Sequence, residues 1–242
     1  MVRFANLGCA LVALAAVVGL PSTGVADDIY RTGFEPPDSV LGVLDGQNGW
    51  SHSRVTNPDD AIVTDEYPAA GSQGVKILGD QVFQRPNLVF WFSGHFPTGI
   101  DFDPLEAGLP LVTFQADVAF IGPGTAEDIY SGNIEVIDRS FRAISAMWLS
   151  SDGTVHIADG NDVFEYIVAE YDFGTYYTLA MTLDYLNRTT DFSINGEYVA
   201  TIPFASGAGD GFFSGYLEIA ALQAPVDYDA YFDNYSVTAS GP

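Results

Sequence analysis

The chain has 242 residues, with 32 Asp and Glu against 8 Lys and Arg, a formal charge of −24 and one cysteine, Cys9. That acid excess argues against nucleic acid, anionic membranes and strongly acidic polysaccharides as partners, because neutralising a polyanion takes clustered Lys or Arg. A single cysteine excludes an intrachain disulfide framework and a thiolate metal cluster, so the fold must rest on core burial.

Residues 1–26 read as a secretory signal peptide. Arg3 precedes an apolar run from Leu7 to Leu20 that is too short to cross a bilayer comfortably, and Gly24 and Ala26 supply the small residues of a cleavage site before Asp27. Cys9 precedes most of that run, which disfavours a lipid-modified cysteine. The expected mature chain, 27–242, has 242 − 26 = 216 residues and, without Arg3, a charge of 7 − 32 = −25. This length suits one β-rich domain, and export places it outside the cell or in a periplasm. No later apolar stretch reaches membrane-spanning length.

The remaining chain alternates in period 2 and lacks helical periodicity. Strands are predicted at 61–65, 74–78, 82–92, 112–120, 132–137, 143–149, 154–158, 163–169, 177–184, 188–194, 197–203, 212–221 and 229–238. The clearest is 112–120, with Val112, Phe114, Ala116, Val118 and Phe120 on one face. Asn195-Gly196 supplies the two positive-φ residues of a type I′ turn, so 188–194 and 197–203 should form a hairpin. Many short strands separated by Gly, Asp and Asn turns fit an all-β, two-sheet antiparallel sandwich.

Two terminal segments sharpen that expectation. Gly33-Phe34-Glu35 leading to Leu44-Asp45-Gly46-Gln47-Asn48-Gly49-Trp50, and Tyr231-Phe232-Asp233-Asn234-Tyr235-Ser236-Val237, stand at opposite ends of the mature chain. They resemble the opening and closing strands of bacterial secreted jelly-roll domains of the concanavalin A-like lectin/glucanase (LamG-like) superfamily. Residues 177–204 resemble the late hairpin of such domains. The resemblance implies a jelly roll with adjacent terminal strands and a structural calcium near the terminal acidic residues. Glu35 and Asp233 are then the calcium candidates, with Asp227 or Asp229 completing an oxygen shell. The alternative is an exposed Glu35 and an Asp233 that accepts local backbone hydrogen bonds. Asp101 with Asp103, and Asp159 with Asp162, are weaker acidic pairs that read as turns.

Catalytic signatures are sparse. Glu135-Val136-Ile137-Asp138 offers two carboxylates, but on a regular strand they face opposite sides of the sheet and do not form the close pair that retaining glycosidases use. Gln115, Arg142, His156 and Tyr166 are ingredients of a polysaccharide lyase without its strand signatures. His156 projects opposite Val155 and Ile157 as a surface or edge residue, whereas His52 and His95 read as loop residues. Sugar binding asks for less: an aromatic platform and planar polar side chains. Trp148 is expected to share a strand face with Arg142, Ile144 and Ala146, Trp91 to be core, and Trp50 to pack over the end of the sandwich. The carbohydrate-binding candidates are Gln115, Asp117, Glu135, Arg142 and Trp148. The expected role is non-catalytic binding of a polysaccharide or cell-surface glycan. A polysaccharide-degrading enzyme and a structural or adhesive envelope component stand as alternatives.

Overall fold

In the computed structural model, residues 26–53, 57–79, 83–84, 91–121, 130–160, 165–221 and 228–242 are described. Their alternating patterns become the strands β1 (Asp27–Thr32), β2 (Gly42–Val43), β3 (Trp50–His52), β4 (Ala61–Thr64), β5 (Gly74–Ile77), β6 (Phe83–Gln84), β7 (Trp91–Pro97), β8 (Leu111–Phe120) and β9 (Tyr130–Asp138). The series continues with β10 (Ala143–Ser150), β11 (Thr154–Asp159), β12 (Glu165–Glu170), β13 (Tyr177–Asp184), β14 (Thr189–Ile194), β15 (Glu197–Pro203), β16 (Phe212–Ala221) and β17 (Ala230–Ser240). A 3₁₀ turn, Pro58–Asp60, precedes β4, and among the described residues no helix is long and apolar enough to cross a membrane.

The strands form two antiparallel sheets. Sheet A runs β15-β14-β13-β8-β17-β5-β4-β2 with β1 also on β17, and sheet B runs β12-β11-β10-β9-β16-β7-β3 with β6 also on β7. This is the jelly-roll sandwich that the terminal segments implied. β17 keeps β8 along one edge, and along the other it pairs β5 through Phe232 and β1 from Tyr235 onward. The terminal strands are therefore neighbours, and Trp50, 2% exposed, packs between the rings of Phe34 and Tyr235.

Between the sheets, Val112, Phe114, Ala116, Val118 and Phe120 of β8 are fully buried, and they face a layer that includes Ile134, Val136, Met147, Leu149, Leu217 and Ile219 of sheet B. The predicted hairpin forms as read, with Asn195 at φ 51° and Gly196 at φ 79° joining β14 to β15. Two expectations are corrected. His95 lies in β7, fully buried, and His52 lies in β3, so neither is a loop residue. The strand predicted at 82–92 continues to Pro97; its residues 82 and 85–90 fall outside the described segments. Gly94 masked that extension, yet β7 needs it: a Cβ there would sit 3.3 Å from the Tyr216 ring and 3.6 Å from the Glu218 carboxylate on β16.

A further correction concerns β10. A register shift between Ala143 and Ser145 breaks its alternation, so Ile144 and Ser145 both turn inward while Ala146 and Trp148 turn outward. Ile144 and Trp148 are thus on opposite faces, contrary to simple period-2 counting.

Polar clasps hold the sandwich at its margins. His95 Nε2 on sheet B meets Asp60 Oδ1, at the entry to β4 on sheet A, at 2.5 Å, and Ser93 Oγ lies 3.3 Å from the same nitrogen. All three side chains are fully buried, and among the described residues His95 Nδ1 and Asp60 Oδ2 have no partner. Elsewhere Lys76, the sole lysine, reaches Glu66 at 3.0 Å and Asp229 at 2.9 Å and lies over the Tyr231 ring. Those partners push its ammonium pKa upward against the cost of burial.

Candidate functional site

The expected calcium ligands both grip the loop before β5. Asp233, fully buried, accepts the amides of Ala69 and Ala70 at 3.0 Å each through Oδ2 and that of Asn234 at 2.7 Å through Oδ1. Glu35 accepts the Ser72 amide at 2.7 Å, the Gln73 amide at 2.9 Å and the Ser72 hydroxyl at 2.6 Å. Hydrogen bonds from the Ser72 hydroxyl and then the Ser72 and Gln73 amides hold the Glu35 carboxyl below its ordinary pKa. Burial instead pushes Asp233 up to about 6, against the three amides. A calcium ion needs six to eight oxygen lone pairs aimed at one point. Here N–H groups point at the carboxylates, and no cluster of three or more His, Cys, Asp or Glu suited to a metal occurs among the described residues. The donor set does not fit the ion, and we assign these carboxylates to fastening the loop.

The weaker acidic pairs are also occupied. Asp101 binds Arg139, Asp103 accepts the Leu105 and Glu106 amides, and Asp159 is 2% exposed. Asp229 holds Lys76 and the Gly79 amide. Asp162 and Asp227 lie outside the described residues.

The five carbohydrate candidates divide between the sheets. Gln115 and Asp117 lie on the outer face of sheet A, where with Arg31, Thr32, Thr178 and Asn234 they line a polar cleft of about 340 Å³. Asp117 is engaged there, accepting from the Thr178 hydroxyl at 2.5 Å and the Asn234 amide group at 2.7 Å. Glu135 and Trp148 lie on the outer face of sheet B. Arg142 sits in the β9–β10 turn, where Nη1 donates to the Gly207 carbonyl at 2.7 Å. The lyase set likewise does not assemble: Gln115 belongs to the other sheet, and His156 pairs with Ile167 on β12 while Tyr166 pairs with Ile157. Asp138, 1% exposed, is spent on the Ser140, Arg142 and Gly209 amides and cannot partner Glu135. The Trp91 side chain is not among those described.

What sheet B does assemble is a continuous outward row. Across adjacent strands, His156 faces Trp148, Trp148 faces Asn133, Asn133 faces Glu218 and Glu218 faces Gly94. The next row places Ala146 opposite Glu135 and Glu135 opposite Tyr216, whose ring stacks on Phe96 at 4.6 Å. The Trp148 and His156 rings are parallel to within 15° with centroids 5.2 Å apart. Thr154 and Glu165 fix the imidazole at 2.7 and 3.1 Å. Glu218 is only 8% exposed, and among the described residues the buried Asn133 carbonyl oxygen accepts no hydrogen bond. Flat rings flank carboxylate, carboxamide and phenol groups, a set suited to a polyol with apolar faces. Glu218, Asn133 and Tyr216 were not singled out from sequence, although a lone Glu in the apolar run of β16 is a readable signal.

By sequence the chain matches no protein-family model and no curated protein. Solved structures share its architecture. The catalytic domain of a glycoside hydrolase family 131 protein from Coprinopsis cinerea aligns at TM-score 0.58 and 12% identity, over 87% of this chain and 94% of that one. Alginate lyase A1-II′, of polysaccharide lyase family 7, aligns at TM-score 0.53 and 11% identity, over 80% and 96%. A sialidase aligns at TM-score 0.57 and 11% identity over 87% of this chain, which spans 18% of the sialidase's length. At such identities the likeness shows the fold alone, a two-sheet antiparallel jelly-roll sandwich.

Proposed function

We propose that this protein binds a polysaccharide along the outer face of sheet B, and that it does so after export, with residues 1–26 as the signal. The observation that carries the reading is the His156–Trp148–Asn133–Glu218 row, in which a partly exposed, stacked aromatic pair adjoins planar polar groups on the same sheet face. Rings of that kind bury the C–H face of a pyranose, and amide and carboxylate groups bond its hydroxyls. The carbohydrate-active names of the fold neighbours agree with this chemistry. In a polysaccharide pull-down or array, the protein is expected to be retained and Trp148→Ala to lose about tenfold or more in affinity. Retention unchanged by Trp148→Ala would move the ligand elsewhere.

One observation favours hydrolysis as a second reading. Glu135 faces Tyr216, and Glu218 stands two residues further along β16 on the same face. The backbones of such diagonal neighbours are about 7–8 Å apart, and Glu side chains rising from them can reach the roughly 6.5–9.5 Å carboxyl spacing of inverting glycosidases. In the same assay, release of reducing ends that stops in Glu218→Gln while binding persists would establish that reading over simple binding.

A further inference from the structure

We infer that Phe141, at the tip of the β9–β10 turn, forms a second aromatic subsite for an extended neutral polysaccharide, at the far end of the face from Trp148. The inference rests on the binding reading above. Phe141 is 63% exposed and holds φ 59°, a left-handed conformation that bulky residues rarely adopt. Neither core burial nor backbone preference puts a phenyl ring there.

Strain of this sort persists only where the surroundings over-determine the backbone. The Asp138 carboxylate takes the Ser140 and Arg142 amides on one oxygen and the Gly209 amide on the other. Two backbone bonds close the turn, Phe141 N to Asp138 O at 2.9 Å and Asp138 N to Arg142 O at 2.8 Å. Arg139 is tied to Asp101 on one flank and Arg142 to the Gly207 carbonyl on the other. The turn is a rigid mount, and a pre-set ring loses little entropy on binding.

The ring continues the face already described. Phe141 lies 4.7 Å from Phe213, Phe213 lies 5.7 Å from Phe96, and Phe96 stacks on Tyr216 beside Glu135. Phe96, Ile137 and Tyr216, with Phe213 against them, form an apolar cluster separate from the main core. From Trp148 back to Ala143 is five residues of β10, roughly 17 Å at about 3.4 Å each, and Phe141 lies beyond. An occupant that touches both ends is a chain of several sugars.

Charge selects a neutral one. The face carries Glu135 and Glu218, and its His156 is bonded to Glu165. Each described Arg or Lys is already engaged: Arg31 by Asp28, Lys76 by Glu66 and Asp229, Arg188 by Asp210, and the two turn arginines as above. Among the described residues Arg142 alone is held by a carbonyl and not by a carboxylate, and one guanidinium in a chain of formal charge −24 does not select a uronate polymer.

The test measures wild type, Trp148→Ala and Phe141→Asn against β-glucan, xylan and mannan, and then against the disaccharide and hexasaccharide of whichever polymer binds. Asparagine accepts positive φ, so Phe141→Asn is expected to melt at or slightly above the wild-type temperature. It should bind the hexasaccharide about tenfold more weakly and the disaccharide unchanged. Unchanged hexasaccharide affinity, alongside a loss in Trp148→Ala, would overturn the Phe141 subsite alone. An equal loss on disaccharide and hexasaccharide would deny it a separate subsite, and a much lower melting temperature would make the ring structural. Wild type that binds none of the three polymers would overturn this inference together with the reading it rests on.

Discussion

His95→Ala is expected to lower stability by about 3–5 kcal/mol, a large share of the roughly 5–15 kcal/mol that domains possess. The substitution leaves the Asp60 carboxylate fully buried without its imidazole partner, and Asp60 Oδ2 already has none among the described residues. A buried charge stripped of its partner keeps the full cost of leaving water and recovers nothing. The intact pair is a different matter, because the desolvation of both groups largely cancels their attraction. The double substitution Asp60→Val/His95→Leu, which replaces the pair with apolar side chains, is therefore expected to recover much of the loss. Denaturant titration of the wild type, both single variants and the double variant would give the coupling. A loss below about 1 kcal/mol in His95→Ala would mean that the pair does not clasp the two sheets.

The second large effect is a dependence on pH at Asp233. Burial raises its pKa to about 6 although three amides favour the ionised form. A carboxyl that holds its proton more tightly in the folded state than in the unfolded one stabilises the fold fully below about pH 4 and loses that contribution as pH rises through about 6. The shift of about two pK units corresponds to roughly 3 kcal/mol. Asp233→Asn cannot titrate, so the wild type's stability advantage over it should shrink by about that amount between pH 4 and pH 7. Thermal melts of both proteins across this range would measure the gap. A gap that widens towards neutrality would mean that the three amides outweigh burial. Glu35, on the same loop, runs the other way: its carboxyl is held below the ordinary range, so its contribution is lost as pH falls through its folded pKa. The two carboxylates thus secure the 69–73 segment with opposite acid responses.

Local patterns carried most of the fold. The alternation of β8 and β13 and the Asn195-Gly196 turn are properties of a few adjacent residues, and each formed as read. The terminal segments implied neighbouring terminal strands, and the structure forms them from β17 and from β1, which lies just before Gly33 and was not predicted as a strand. The site was less legible because period 2 states which residues share a strand face but not which sheet the strand joins. Gln115 and Trp148 both project outward, yet from opposite sides of the sandwich. The register shift at Ala143 to Ser145 reverses the parity of β10, and no residue there announces it as a glycine would. His95 read as a loop residue because Gly94 and Pro97 disguise the end of β7. Its partner Asp60 is 35 positions away, a distance no local pattern spans.

Lys76 has a practical corollary. It is the only lysine, and its ammonium is shared between two carboxylates, faces a phenol ring and is raised in pKa, so it stays protonated where acylating reagents need a free amine. Amine-directed dyes, cross-linkers and coupling resins therefore have no ready side-chain target on the folded protein.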